Sequence, residues 1–229
     1  MSDGTEGNGD GVDADGDATT GDVAPADDAD DADPDDERDV DVLIMEATYR
    51  ALRTHGYAEL SVSHIADEFE KSKSLLYYHY DSKDDLIAGF LSFAGDHFIE
   101  MLDEAERDAD DPVGTLRAFV DLYLGAELDE EMAAAQRLIL DLRAQAVSEP
   151  RFREEFTRID RHLRERIVDA VEDGVDTGVF PADIDPEAVG SYVLATLSGA
   201  MLQRHTAEDD VVTPVRDVIH ARLDEFVDE

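Results

Sequence analysis

From residue 39 onward the apolar positions recur at helical spacing. Val40, Leu43, Ile44, Ala47 and Ala51 follow i, i+3, i+4, i+7 and i+11, one face of a helix. Gly56 is a natural stop for it. Ser61 caps a short helix through Ile65, Ala66 and Phe69, and Ser72 caps a second with Leu75, Leu76 and Tyr80. A third begins near Ser82 and carries Leu86, Ile87, Phe90, Leu91, Ala94, Phe98 and Met101 toward Arg107. Further helices are predicted at 112–126, 130–147, 150–173, 186–205 and 212–227. Pro112, Pro150, Pro186 and Pro214 sit near four of their starts, where a missing N–H costs nothing. No alternating run bounded by hairpin turns occurs, so the pattern predicts an all-α protein.

The later helices differ in their faces. Phe152, Phe156, Ile159, Leu163, Ala170 and Val171 share one side of 150–173, opposite a mixture of arginines and acids that includes the i,i+4 pairs Glu154–Arg158 and Asp160–Arg164. Such a face could bind nucleic acid, but its charges nearly cancel, which favours a salt-bridged solvent face. Helix 186–205 is apolar on most sides, with small Gly190, Ser191, Ala195, Ser198 and Gly199; helix 212–227 bears a stripe of Val215, Val218, Ile219, Leu223 and Phe226. One apolar side can meet the core, and a two-fold partner would cover the other.

Residues 61–80, SVSHIADEFEKSKSLLYYHY, place two short helices either side of a three- to four-residue turn, a helix-turn-helix arrangement. Ile65, Ala66, Leu76 and Tyr80 would form its internal contact. Lys73, Ser74, Tyr77, Tyr78 and His79 would stay outside, offering a cation, donors and flat rings. Three tyrosines on one short helix cannot all point inward. His79 taken alone is an ordinary surface histidine. Lys83 opens the next helix, where the dipole disfavours a cation, so a DNA phosphate is one reason for its presence.

Charge sharpens this picture. The 229-residue chain carries 19 Lys+Arg against 59 Asp+Glu, a formal net charge of −40, which ordinarily argues against a phosphate-bearing partner. Yet residues 1–41 contribute −16, residues 91–229 contribute −21, and residues 42–90 only −3. The three lysines of the whole chain, Lys71, Lys73 and Lys83, fall inside that middle segment, in a window whose sole acid is Asp81. Residues 1–38 are Asp, Gly, Ala and Thr with almost no large apolar side chain, a composition expected to be disordered. Within them Gly11, Asp13, Asp15, Gly16, Asp17 and Asp22 approach a calcium loop, but Gly11 and Asp22 replace its terminal Asp and Glu and no helix flanks it. No metal or other cofactor is therefore expected. The absence of Cys excludes disulfides, thiolate metal sites and a cysteine nucleophile. No signal peptide is visible, and the weakly polar run 191–202 is too short to span a bilayer, so a cytoplasmic protein is expected.

Residues 43–90, with Gly56-Tyr57, Ser61, Ile65-Ala66, Ser72, Tyr77-Tyr78-His79-Tyr80, Ser82-Lys83 and Leu86 in order, resemble the DNA-binding domain of TetR-family transcriptional regulators. The resemblance implies that Ser72 caps the recognition helix and that Lys73, Ser74 and Tyr78 face bases. Tyr77, His79 and Lys83 would hold phosphates, as would Ser61 and Ser63 from the preceding helix. Where the family usually has a small residue, Gly and an aliphatic in the turn, this chain has Phe69, Glu70 and Lys71, which brings Glu70 close to DNA with Lys71 to offset it. Residues 173–204 resemble the C-terminal class named for the bacterial choline-pathway repressor. The implied organisation is an acidic tail (1–38), a three-helix helix-turn-helix domain (39–88), and a helical ligand-binding and dimerisation domain (89–229). By the same analogy the last two helices form a four-helix bundle with a second subunit, giving a homodimer on a palindromic operator.

An enzyme is disfavoured: the chain has no Gly-rich phosphate loop, GxSxG or HExxH, and its seven histidines are scattered. The alternative is a ligand-independent architectural DNA-binding protein, against which stands a C-terminal region of some 140 residues. By resemblance that region encloses a pocket for an unknown small-molecule effector whose occupancy releases a repressor from its operator. Candidate pocket residues are Phe98, Met101, Phe119, Tyr123, Met132, Leu138, Phe156 and Tyr192, each of which taken alone reads as plain core. Few lysines, dense carboxylates and no Cys also resemble proteins of salt-loving cytoplasms. There self-repulsion is screened, since the Debye length near 1 M salt is about 3 Å.

Overall fold

The computed structural model describes residues 34–125 and 127–226. Nine helices and no strand occur among them. They are α1 (Pro34–Glu59), α2 (Val62–Glu68), α3 (Lys73–His79), α4 (Lys83–Arg107), α5 (Pro112–Leu124), α6 (Glu130–Gln145), α7 (Pro150–Asp176), α8 (Pro186–Thr206) and α9 (Val212–Asp224). The protein is all-α, as its periodicity predicts. The calcium-loop near miss and most of the segment expected to be disordered lie outside the described residues. Residues 34–38 are corrected: they are the first turn of α1. Pro followed by Asp35, Asp36 and Glu37 is a sequence suited to a helix start, because proline needs no donor there and acids suit the dipole.

Gly56 does interrupt α1, at φ 66 and ψ 164, a region that other residues rarely adopt, and a last short turn follows it. The remaining starts obey their sequence signals. The side chains of Ser61, Ser72, Ser82, Asp111, Asp129 and Asp185 each accept a hydrogen bond from a backbone N–H of the following turn. Pro112, Pro150 and Pro186 stand at the first helical position, whereas Pro214 is the third residue of α9.

Two apolar cores hold the helices together. The first joins Ile44, Ala51, Ile65, Leu76 and Leu86 with Leu138 and Leu142 of α6 and Phe152 and Phe156 of α7. The second joins Leu102, Phe119, Val120, Leu163, Ile167 and Leu197 with Val212 and Leu223. The expected boundary at residue 88 is not a break in the chain's structure, because α4 runs through it. Both α4 and α7 contribute to the two cores. Gly95 and Gly190 mark the tightest crossings: a Cβ at Gly95 would stand 2.6 Å from Ile159, and one at Gly190 would stand 2.7 Å from Val168.

The charged face of α7 is stitched differently from the i,i+4 expectation. Neither Glu154–Arg158 nor Asp160–Arg164 forms. Arg158 reaches Asp96 of α4 at 2.8 Å and Glu155 at 3.1 Å, Asp160 takes Arg143 of α6, and Arg164 faces Glu187 of α8. A bundle surrounds α7, so carboxylates on neighbouring helices compete with those on its own. The result is an ion-paired face that ties helices together.

Candidate nucleic-acid interface and interior site

Ser61 and Ser72 cap the two short helices α2 and α3. Ser61 Oγ accepts from His64 N at 3.2 Å, Ser72 Oγ accepts from Leu75 N at 3.3 Å, and each fixes where its helix begins. Between them the chain turns without a glycine. Phe69 lies in extended backbone at φ −96, its N–H bonds Ala66 O, and its ring is buried. The core thus fixes this turn through an aromatic anchor, leaving Glu70 and Lys71 exposed. Arg50 of α1 donates to Glu68 O at 2.9 Å and so closes the open C-terminal end of α2.

Ile65 and Leu76 are fully buried and meet in the first core, as the spacing predicts, and Ala66 is half-buried. The opposite side of α3 is open. Lys73, Ser74, Tyr77 and Tyr78 are exposed there. Lys73 Nζ donates to Ser63 Oγ at 2.9 Å and lies 5.9 Å from the centre of the Tyr77 ring, so one cation, one hydroxyl and one aromatic face form a fixed group. Tyr78 projects beyond it at 82% exposed, edge-on to His79. Tyr80 turns inward against the first core.

Two predicted contacts are placed otherwise. The His79 side chain is only 17% exposed and its Nδ1 lies 3.4 Å from Asp41 of α1. The Lys83 ammonium donates to Tyr57 O at 3.2 Å and sits 4.3 Å over the Tyr57 ring. A carbonyl and a π-face inside the chain offset the unfavourable helix start, so no phosphate is needed to explain this lysine. Tyr57 also donates to Asp84 at 3.3 Å and meets Phe152 edge-on, and burial, with Asp84 next, raises its phenol above the ordinary value.

In the C-terminal half the eight predicted pocket residues separate. Phe119 and Tyr123 are buried in the second core, stacked at 6.1 Å, with Phe98 edge-on to Tyr123 at 5.9 Å. Leu138 and Phe156 belong to the first core. Met101, Met132 and Tyr192 are corrected: all three are exposed, Tyr192 at 70%. Helical phase turns them outward, which a list of large apolar residues cannot register. Polar groups that the sequence did not assign to the pocket complete the interior cluster. Tyr123 shares a hydrogen bond with Ser198 at 3.0 Å, and burial raises its phenol pKa. Arg143 makes a bidentate pair with Asp160 at 2.7 and 2.8 Å and stacks 4.4 Å over Phe156. Burial alone would lower the Arg143 pKa, but Asp160 holds it above the ordinary value. Its partner lies seventeen positions away on another helix, a separation with no periodic signature in sequence. The cavity lined by Leu102, Phe119, Arg166 and Ile167 measures only about 10 Å³. A shallow depression of about 520 Å³ opens at the α4–α5 connection over Asp108, Asp110 and Asp111, and none of the predicted pocket residues lines it.

A helix-turn-helix packed by one side into a core, with an exposed cationic and aromatic face on the other, carried on a larger helical domain, is the class of a DNA-binding regulator. The comparisons agree. Residues 44–89 match the bacterial regulatory proteins of the tetR family, and residues 112–228 match the C-terminal domain of BetI-type transcriptional repressors. A TetR transcription regulator from Haloarcula marismortui is 32% identical, with 83% of this chain and 97% of that one covered and a TM-score of 0.70. A candidate regulator from Saccharomonospora viridis solved with choline is 21% identical, covering 84% and 97% at 0.67. The fatty acid degradation regulator of Bacillus halodurans is 18% identical, covering 78% and 97% at 0.63. No curated protein matches. The chain belongs to the TetR family of transcriptional regulators, and so is a regulator and not an enzyme. No described helix is long and apolar enough to cross a membrane.

Proposed function

We propose that the protein is a homodimeric, cytoplasmic repressor that reads a palindromic operator through α3 and leaves it when a small molecule enters the C-terminal domain. The observation that carries this reading is the Ser63–Lys73–Tyr77 group beside exposed Tyr78, a surface of donors and rings on a helix whose other side is locked in the core. Lys73, Ser74 and Tyr78 approach base edges, while Ser63, Lys71 and Tyr77 meet phosphates. Ser61 and Ser72 act as caps whose helix ends approach the backbone. His79 and Lys83 shape the edge of the surface from their internal contacts.

The second subunit covers α8 and α9. In a chain of charge −40, Ser191, Tyr192, Ala195 and Leu202 of α8 and Val218 of α9 form an exposed face without a charge. Gly199 lies among them with nothing within 4 Å of where its Cβ would stand. Of the other small residues of α8, Gly190 and Ser198 serve contacts inside the chain. A dimer sets two α3 helices about one DNA turn apart, roughly 34 Å.

The effector site centres on Phe98, Phe119 and Tyr123, with Ser198, Arg143 and Asp160 as its polar members and Leu138 and Phe156 behind them. The cavity beside Phe119 holds only about 10 Å³, so binding there draws on a minor open state. A coupling of about 1–3 kcal/mol between pocket and DNA changes operator affinity 5- to 150-fold. The choline held by the Saccharomonospora relative makes quaternary ammonium compounds one class to screen. Genome-wide mapping of bound DNA tests the reading: discrete palindromes are expected, with the neighbouring genes pointing to the effector. Uniform coverage would instead identify a ligand-independent architectural protein.

A further inference from the structure

The open face of α3 has a second candidate occupant in the chain itself. Residues 1–33 carry twelve carboxylates and no basic side chain. The segment joins the fold near one end of α3: Asp41 of α1 lies 3.4 Å from the largely buried His79, the last residue of α3, and α1 begins seven residues earlier. Seven helical residues span about 10 Å. The donors that suit a phosphate oxygen, Lys71, Lys73 and the Tyr77 and Tyr78 hydroxyls, suit a carboxylate oxygen equally, since both are charge-assisted acceptors. All four residues are exposed.

We infer that residues 1–33 dock on the exposed face of α3 in the absence of DNA and compete with DNA for it. The inference rests on reading α3 as the DNA-contacting helix. Tethering makes a weak contact sufficient. At an effective concentration of about 1 mM for a tethered segment, an intrinsic Kd of about 0.1 mM leaves the face roughly one-tenth free and lowers DNA affinity about tenfold. Salt acts on both sides of this competition. Added ions weaken phosphate binding by counterion release and weaken the carboxylate contact by screening. The segment therefore subtracts most affinity where DNA binding is tightest, and flattens the dependence of operator affinity on salt.

The test compares three proteins on operator and unrelated duplexes from 0.1 to 2 M KCl by fluorescence anisotropy: the full chain, the chain with the twelve carboxylates of residues 1–33 changed to amides, and the chain with residues 1–33 moved to follow Glu229. Neutralisation is expected to raise affinity about tenfold at 0.1 M, to leave less than a twofold difference above 1 M, and to steepen the salt slope. The relocated segment should restore most of the affinity, because the net charge is kept while the attachment near one end of α3 is lost. Equal affinities for the full and neutralised chains overturn the inference. Equal inhibition from either end of the chain also overturns it, in favour of general repulsion. A synthetic 1–33 peptide added to the neutralised protein should shift the NMR signals of Lys73 and Tyr78 at about 0.1–1 mM, and signals that do not move count against docking. If no duplex is bound by any of the proteins, the DNA assignment of α3 fails separately, and the peptide titration still decides the docking.

Discussion

Tyr78 makes almost no contact within the chain, yet its neighbour Leu76 is fully buried, so side-chain loss at these two positions has opposite consequences. Tyr78→Ala should reduce operator affinity at least tenfold while unfolding stability stays within about 0.5 kcal/mol, the usual range for surface changes; anisotropy and urea denaturation measure the two. Lys71→Ala, at the lysine placed against phosphates, should weaken all duplexes alike and reduce the slope of log affinity against log salt by about 1, the mark of one lost phosphate contact. Tyr80 presents a different case. Burial first, and Asp41 second, push its phenol up to about 12, so the fold favours the neutral form. That contribution is complete below the unfolded value near 10 and is lost as pH rises from 10 through 12. Tyr80→Phe should therefore lose less stability than the natural chain between pH 9 and pH 11.5, as read by urea midpoints.

At the scale of helices, the caps made the fold legible in the sequence. Ser61, Ser72 and Ser82 announce α2, α3 and α4 because a cap is a local hydrogen bond between residues three apart. The core residues Ile65 and Leu76 were legible for the same reason, since periodicity is also local. Contacts between distant helices were not. Arg143 finds Asp160 on α7, and Arg158 finds Asp96 on α4, where the pattern had pointed to neighbours on one helix. Gly190 looked like a residue for a partner subunit, yet it is buried under Val168 and the backbone carbonyl oxygen of Arg164. Gly190→Ala should force α7 and α8 apart and cost about 1–3 kcal/mol, the range for overpacking a close contact; denaturant unfolding checks it. A loss below about 0.3 kcal/mol would mean that the crossing yields easily.

The whole molecule divides its charges by kind. Arginine ties the helical bundle together: Arg117 to Asp224 and Arg216 to Asp121 fasten α9 to α5, while Arg151 to Asp85 and Arg158 to Asp96 fasten α7 to α4. Exposed Ser191, Tyr192, Ala195 and Leu202 of α8 and Val218 of α9 carry no charge, so if these helices pair with a second subunit as proposed, Val218→Glu should convert dimers to monomers in sedimentation experiments and abolish tight operator binding together. An unchanged dimer would place the subunit contact elsewhere. Lysine appears only in the reading head, at Lys71, Lys73 and Lys83, and Lys83 is half-buried over Tyr57. This division gives the molecule a chemical address. Among side chains, the exposed amines are those of Lys71 and Lys73, so covalent labelling by an acylating reagent becomes a gauge of whether that surface is occupied. Any cellular acetylation of an exposed lysine would fall on the same spot, removing positive charge from a chain that sets 19 basic against 59 acidic side chains.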